Sequence, residues 1–404
     1  MEVKQGYKET EIGVIPSDWE VRTLGEVGDV KMCRRVFNHE TQIEGIIPFY
    51  KIGTFGKEAD AYITEELYKN YRKRFSFPNK GDILISAAGT IGRTIIYDGK
   101  PAYFQDSNIV WIDNSETLIS NKFLYYVFQV VKYNTEGGTI QRLYNSILKS
   151  AKFVKPSESE QTAIATALSD ADSYIASLEK LIAKKHLIKQ GAMQQLLKPK
   201  EGWVVKKFSK LVWYQEGPGV RNHQFKSSGI KLLNGTNIEK GKLLLEKTDR
   251  FISESEAYGW YSHFLVDSGD ILIACSGITV DRFDEKVTIA ETHHLPLCMN
   301  TSTMRFKIIS DDMMKLFFFH FLKSKSFKEQ IGGKATGSAQ LNFGPSHVQN
   351  VDIAYPKPAE QTRIATILSD MDIEIEQLEK QLSKAQSIKQ GMMQQLLTGK
   401  VRLV

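Results

Sequence analysis

One segment of this chain occurs twice, and that constrains its fold more than anything else. Glu160 to Leu197 reads EQTAIATALSDADSYIASLEKLIAKKHLIKQGAMQQLL; Glu360 to Leu397 reads EQTRIATILSDMDIEIEQLEKQLSKAQSIKQGMMQQLL. Roughly two-thirds of the positions are identical, which chance does not produce over such a length. In the first copy Ile164, Leu168, Ala171, Ile175, Leu178 and Ile182 follow an alternating four-three spacing. In the second, Ile364, Leu368, Met371, Ile375, Leu378 and Leu382 do the same. That spacing keeps a narrow apolar seam on one side of a helix, the pattern of a coiled coil. Ser157 with Glu160 forms a capping-box signal after Pro156, and Pro199 stops the first helix. At about 1.5 Å per residue each helix is a rod of roughly 60 Å. Two matching seams most simply bury each other, as an antiparallel coiled coil with pseudo-twofold symmetry. The alternative, that each helix packs only on its neighbouring domain, fits such even seams less well.

The two helices divide the chain into 1–155, 156–198, 199–357 and 358–404, the last including a short tail. The globular stretches also echo each other. Gly81-Asp82-Ile83-Leu84-Ile85-Ser86 returns as Gly269-Asp270-Ile271-Leu272-Ile273-Ala274, and Trp19-Glu20-Val21 as Trp203-Val204-Val205. Short apolar runs between glycines predict strands around 45–53, 81–86, 93–97 and 108–112. Helices are expected over Asn121–Tyr133 and Asp312–Phe327, and a last strand before each long helix, at Ala151–Val154 and Val351–Tyr355. The fold class is α+β: two tandem mixed α/β domains, each followed by its long helix. The segment before Trp19 is expected beside the end of the second helix, as Pro199–Trp203 follows the first.

Composition excludes several classes. No apolar run reaches the length of a membrane span, and the N-terminus has no apolar signal core, so a cytoplasmic protein with no membrane partner is expected. Cys33, Cys275 and Cys298 are scattered, against a disulfide framework or a zinc ribbon. The chain lacks the glycine loop and proline-aromatic motif of DNA methyltransferases. Gly332-Gly333-Lys334-Ala335 lacks the spacing and the Ser or Thr of a phosphate loop. His293, His294 and Cys298 have no second ligand pair, and Asp281, Asp284 and Glu285 read as a solvated loop. There is no Ser-His-Asp arrangement either. These absences predict a non-catalytic chain without a metal or cofactor of its own. A formal charge of +6 permits a nucleic-acid partner.

Polar and basic residues gather in the loops between the strands. The first domain offers Lys31, Arg34 and Arg35; Lys51, Thr54 and Lys57; Ser86, Thr90 and Arg93; Gln105, Ser107 and Asn108; and Thr139, Gln141 and Arg142. The second offers Arg221, Asn222, His223 and Gln224; Asn234, Thr236 and Asn237; Ser276, Thr279 and Arg282; Asn300 and Ser302; and Lys334, Thr336, Ser338 and Gln340. Arginine pairs with guanine edges and Asn or Gln with adenine edges, whereas Lys, Ser and Thr mostly hold phosphates. The domains share their strands and differ most in these loops, as two reading surfaces on one scaffold would.

Taken together, Tyr7-Lys8-Glu9-Thr10-Glu11-Ile12-Gly13-Val14-Ile15-Pro16 before Trp19, the paired Gly-Asp-Ile-Leu-Ile strands, the Glu-Gln-Thr helix starts at 160 and 360, and the Ile-Lys-Gln-Gly…Met-Gln-Gln-Leu-Leu helix ends resemble the specificity subunits of type I restriction–modification systems. The resemblance covers nearly the whole chain. It implies two target-recognition domains, each reading half of an interrupted, bipartite site in double-stranded DNA. It also implies helices that set the spacing and dock two modification (methyltransferase) subunits, which carry S-adenosylmethionine, with restriction/translocase subunits joining them. The rival from another class is a coiled-coil adaptor that binds proteins and has no DNA specificity.

Overall fold

The computed structural model describes residues 5–133, 142–332 and 340–403. These form two compact units, one of residues 1–179 with 380–404 and the other of residues 180–379. The long helices run from Glu158 to Leu196 and from Pro358 to Leu396, so each unit holds part of both.

The same three sheets are built in each unit. In the first, a four-stranded antiparallel sheet has the order Val30–Met32, Ile109–Ile112, Ile83–Ser86, Thr94–Ile96. In the second the order is Val212–Glu216, Thr303–Ile308, Ile271–Ala274, Val287–Ile289. A three-stranded sheet joins Ile47–Tyr50 antiparallel to Tyr62–Ile63 and parallel to Tyr103–Phe104. Its counterpart joins Ile230–Leu233 to Phe251–Ile252 and Leu297–Met299 with the same directions. A two-stranded ribbon, Glu20–Thr23 with Lys152–Lys155 or Val204–Lys207 with Asp352–Tyr355, leads into each long helix.

The Gly-Asp-Ile-Leu-Ile strands are apolar throughout because both faces are covered. Alternation along the strand divides the first unit's side chains between two cores. Ile83, Ile85, Val110 and Ile112 face one built with Phe123, Leu124, Ile164 and Leu168. Leu84, Ile109 and Trp111 face a smaller one around Phe49, Phe55 and Tyr103. Of the expected helices, Asn121–Val130 forms as one element. The expected helix over Asp312–Phe327 divides instead into Lys315–Leu322 and Lys325–Gly332. Ser324 explains the break: its Oγ accepts from Phe327 N at 3.2 Å, starting a new helix where the old one ends.

Within each unit the two helix portions run antiparallel. In the first, Asp172 pairs with Lys389, and Glu160 with Arg402 just beyond the end of the second helix. In the second, Lys185, Lys189 and Lys200 meet Glu374, Asp372 and Glu360. Ile164, Leu168 and Leu178, with Ile364, Leu368 and Ile375, are buried. Ile175, Ile182, Met371, Leu378 and Leu382 are half-buried.

The polar position beneath the helices is solved differently in the two units. In the first, Tyr126 donates to Asp172 Oδ2 at 2.9 Å. In the second, fully buried His320 lies 3.0 Å from Ser369 Oγ through Nε2. Burial, with the nearby charge of Lys323, draws the His320 pKa down to about 3.

The first unit is closed by the chain's two ends. Tyr7 donates to the Gly399 carbonyl at 3.0 Å. At φ +70° Gly399 packs so tightly that a Cβ there would sit 2.4 Å from Pro16 Cδ. Glu160, its side chain 3% exposed, accepts from Trp19 Nε1 at 2.9 Å and from Arg402 Nε at 2.6 Å. The other edge of the Arg402 guanidinium takes Asp18 in two bonds of 2.8 and 2.9 Å.

Arg402→Ala leaves the Glu160 carboxylate buried with only neutral donors, Trp19 Nε1 and the Ser157 hydroxyl. We expect it to cost roughly 2–4 kcal/mol in denaturant unfolding, whereas Arg22→Ala, at an exposed ion pair, should leave the midpoint nearly unchanged. His320 gives the second expectation. Its folded pKa lies below the unfolded one, so stability present above about pH 6.5 is lost as pH falls towards about 3, by up to ~1.4 kcal/mol per unit. His320→Gln should flatten that acid limb.

Candidate nucleic-acid interface

The loops that follow the three-stranded sheet carry most of the candidates, and the same device shapes both units. After Ile47–Tyr50 the chain turns back, with Lys51 N donating to Thr54 Oγ1 at 3.1 Å. After Ile230–Leu233, Asn234 N donates to Asn237 Oδ1 at 2.9 Å in the equivalent turn. The next amide is held from across the sheet in each case. Ile52 N donates to Gln105 Oε1 and Gly235 N to Ser302 Oγ, both at 2.9 Å. Thr54, Asn237, Gln105 and Ser302 therefore use their acceptors to close a turn. Ser86 is likewise internal: buried, it accepts from Arg93 N at 2.9 Å and donates to the Thr90 carbonyl.

A second matched pair shapes the loop before each of those strands. Phe37 N donates to Glu40 Oε2, and Arg221 N to Gln224 Oε1. Tyr71 then donates to Glu40, while Gln224 exchanges hydrogen bonds with Tyr261.

Many of the candidates, some of these turn-closing residues included, line a cleft in each unit. In the first, Arg35, Lys51, Gln105, Ser107, Asn108 and Arg142 line a cleft together with Asn38, Thr41 and Asp106. These residues come from four separate stretches of sequence. Arg35 Nε donates to Asp106 Oδ2 at 2.9 Å and Arg142 Nη2 to Asn108 Oδ1 at 3.2 Å. Lys51 lies 2.8 Å from Asp60. In the second unit, Asn234, Thr236, Asn237, Ser276 and Ser302 line a cleft with Thr248, Asp249 and Arg250. Asn300 Nδ2 donates to Asn234 Oδ1 at 2.9 Å, and Ser276 Oγ to Asn342 Oδ1 at 2.9 Å. Both clefts carry amides and hydroxyls, but the first adds two guanidinium groups and Lys51 where the second has Arg250 alone, so the two differ in what they can recognise.

Other candidates lie away from these clefts. Lys31 is within the four-stranded sheet, opposite Trp111. Arg34 stacks 5.3 Å from the Phe75 ring centroid, and Arg93 Nη1 donates to the Phe55 carbonyl. Lys57 and Thr90 are exposed loop residues, as are Arg221, Asn222 and His223. Thr279 pairs with Gln340 across a short antiparallel ladder, and Arg282 is held by Glu285 at 2.7 Å. Thr139, Gln141, Lys334, Thr336 and Ser338 lie outside the described residues.

Asp106 and Arg250 belong to the clefts, Asn342 holds the cleft residue Ser276, and all three were missed by sequence reasoning. Asp106 sits between two candidates, and a search for acceptors flanking candidate arginines would have found it. His293 faces Glu291 at 3.3 Å, and among the described residues no three His, Cys, Asp or Glu side chains group as a metal site. The three cysteines are free and buried, and burial pushes each thiol up to about 12. No described helix is long and apolar enough to cross a membrane.

A family model described as the type I restriction modification DNA specificity domain matches this chain twice, over residues 16–187 and 201–386. A relative from Haemophilus influenzae assigned as a type I restriction enzyme specificity subunit is 54% identical over 160 residues, 39% of this chain and 42% of that one. This chain thus spans under half the length of that relative. The MjaVIII type I specificity subunit of Methanocaldococcus jannaschii is 25% identical, with 99% of this chain and 97% of that one aligned. Among solved structures, a type I restriction–modification S subunit from M. genitalium has the same fold at a TM-score of 0.58 and 17% identity, covering 98% of each chain.

Thr54→Val and Asn237→Ala each strip the acceptor from a turn amide. Each should lower stability by about 1–2 kcal/mol in denaturant unfolding, whereas Thr236→Ala, on an exposed side chain, should leave it within about 0.5 kcal/mol.

Proposed function

Because the chain belongs to the type I restriction modification DNA specificity family, we propose that each of its units reads one half of a bipartite, interrupted sequence in double-stranded DNA. The observation that carries this reading is one scaffold built twice, with the same strand order and the same capped turns around clefts of different chemistry. A duplicated enzyme site would keep its reactive groups, whereas a duplicated reader keeps its frame and changes its surface.

In this reading the long helices set the unread gap between half-sites and dock two modification subunits. Those subunits supply S-adenosylmethionine and take the target adenine out of the stack; restriction/translocase subunits complete the assembly in the cytoplasm. The chain itself contributes the address and no catalytic group. Lysine and arginine contacts to phosphates give affinity, and base contacts from the clefts give sequence. Nothing in the matched relatives favours the protein-adaptor alternative.

The reading is tested by mapping methylated adenines across the genome of cells with and without this gene, partners intact. We expect one bipartite, interrupted motif to vanish with the gene. Binding of the full chain to a duplex bearing that motif should weaken at least roughly a hundredfold between 50 and 200 mM salt. Unchanged methylation together with salt-insensitive, sequence-indifferent binding would overturn the proposal.

A further inference from the structure

Resting on the reading of the first unit as a DNA-recognition domain, we propose that Arg35 and Arg142 are its guanine readers and that Asp106 is the positioning residue for Arg35. The backbone of Asp106-Ser107-Asn108 makes a tight turn at the rim of the cleft. Asn108 N donates to the Asp106 carbonyl at 2.7 Å, and Ser107 has φ +61°. A bond from residue i+2 back to residue i, with positive φ between them, is the rarer, strained form of γ-turn, in a region serine seldom adopts. Such strain persists only where the surroundings over-determine it. Here they do: Gln105 N donates to the Tyr50 carbonyl, Ile109 N to the Gln105 carbonyl and Ala87 N to the Asn108 carbonyl, at 2.9, 3.1 and 2.7 Å.

The residues on either side of the strained one each hold an arginine of the same cleft. Asp106 takes Arg35 through Nε, and Asn108 takes Arg142 through one Nη. The Arg35–Asp106 pair does little for stability, since the Arg35 side chain is 61% exposed and exposed pairs contribute little. Its geometry is informative. With Nε engaged, the two terminal nitrogens of Arg35 form a free edge, which meets no acceptor among the described residues. Two parallel N–H donors are what the O6 and N7 atoms of guanine accept in the major groove. A guanidinium already fixed at Nε loses less freedom on binding than a loose one. Among the described residues the second cleft holds no such pair, and Arg282, held at Nε by Glu285, lies outside it. That cleft presents Asn234, Thr236, Ser276 and Ser302, and Arg250 stacks instead 5.1 Å from the Phe225 ring centroid.

The test is selection of duplexes by the full chain, co-purified with its modification subunits, from a library randomised across the recognised positions. Wild type should retain a bipartite motif with G·C pairs in one half. Arg35→Ala should lose preference at one of those pairs by roughly ten- to a hundredfold, and Arg142→Ala at another, with the other half-site unchanged. Asp106→Ala should lower discrimination at the Arg35 position yet raise affinity for unrelated duplex, because a negative charge leaves the cleft. Asp106→Asn keeps an acceptor for Nε and should restore most of the discrimination. A merely structural role for Asp106 would not divide specificity from affinity in this way, and unfolding midpoints should stay level across the set. Uniform weakening by Arg35→Ala with an unaltered motif would make it a phosphate contact and overturn the proposal. So would a motif lacking G·C pairs in the half that Arg35→Ala disturbs, while the DNA-recognition reading stood. Selection of no motif at all by wild type would remove that reading too.

Discussion

A carboxylate buried beside an indole has to be neutralised in place, and the first unit is assembled around the way Glu160 achieves this. Trp19 donates from the start of the chain and Arg402 from its end, while Asp18 occupies the remaining edge of the guanidinium. The second unit shows why such a cluster exists. There the stretch from Leu197 through Trp203 to the strand Val204–Lys207 is continuous chain, and the equivalent Glu360 stays 36% exposed with Lys200 and Arg363 at 3.9 and 3.7 Å. In the first unit the corresponding elements, residues 5–19 and 397–403, lie far apart in sequence, and hydrogen bonds and ion pairs join them. Holding together stretches so distant costs more chain entropy than a short link, and an interaction that leaves a buried charge uncompensated when broken is a strong way to offset it.

Duplication with divergence explains how one frame serves two surfaces. The turn after the central strand of each three-stranded sheet needs an acceptor at a fixed place, and a threonine hydroxyl or an asparagine amide supplies it equally well. The cross-sheet partner is glutamine in one unit and serine in the other. These substitutions keep the geometry of the turn while freeing neighbouring positions to change. Lys51 and Asn234 occupy the same place in the two turns, one cationic and the other neutral.

The repeated helices, their direction of chain and the apolar Gly-Asp-Ile-Leu-Ile strands were legible in the sequence, because periodicity and burial speak directly through residue type. So was the α+β character of the two modules. The break at Ser324 was not, since the apolar residues of Lys315–Leu322 run nearly unbroken and give no phase against which to see an interruption. Loop candidates were legible only as a class. Arg35 and Arg93 look alike in sequence, yet one lines a cleft and the other donates to the Phe55 carbonyl behind it. Polar loop residues serve the backbone as readily as a ligand, and the choice depends on partners far away in sequence, as between Ile52 and Gln105. Asp106 carries the sharpest lesson. An acid in a proposed DNA cleft counts against binding when read alone, and becomes intelligible only with Arg35 beside it.

That pairing bears on how such a chain can be selective while only mildly basic. Phosphate attraction acts at every sequence, so each uncompensated cation raises specific and non-specific binding together. Lys51 faces Asp60, Arg35 faces Asp106 and Arg282 faces Glu285, so much of the positive charge near the loops is already balanced. Balancing a guanidinium at Nε dampens its long-range pull but leaves its terminal edge, whose benefit depends on meeting the right base. The ratio of specific to non-specific affinity, which decides whether a reader finds its site among competing DNA, rises even as total charge falls. On the proposed reading a net charge of +6 over 404 residues suffices, because selectivity would come from where the arginines are held.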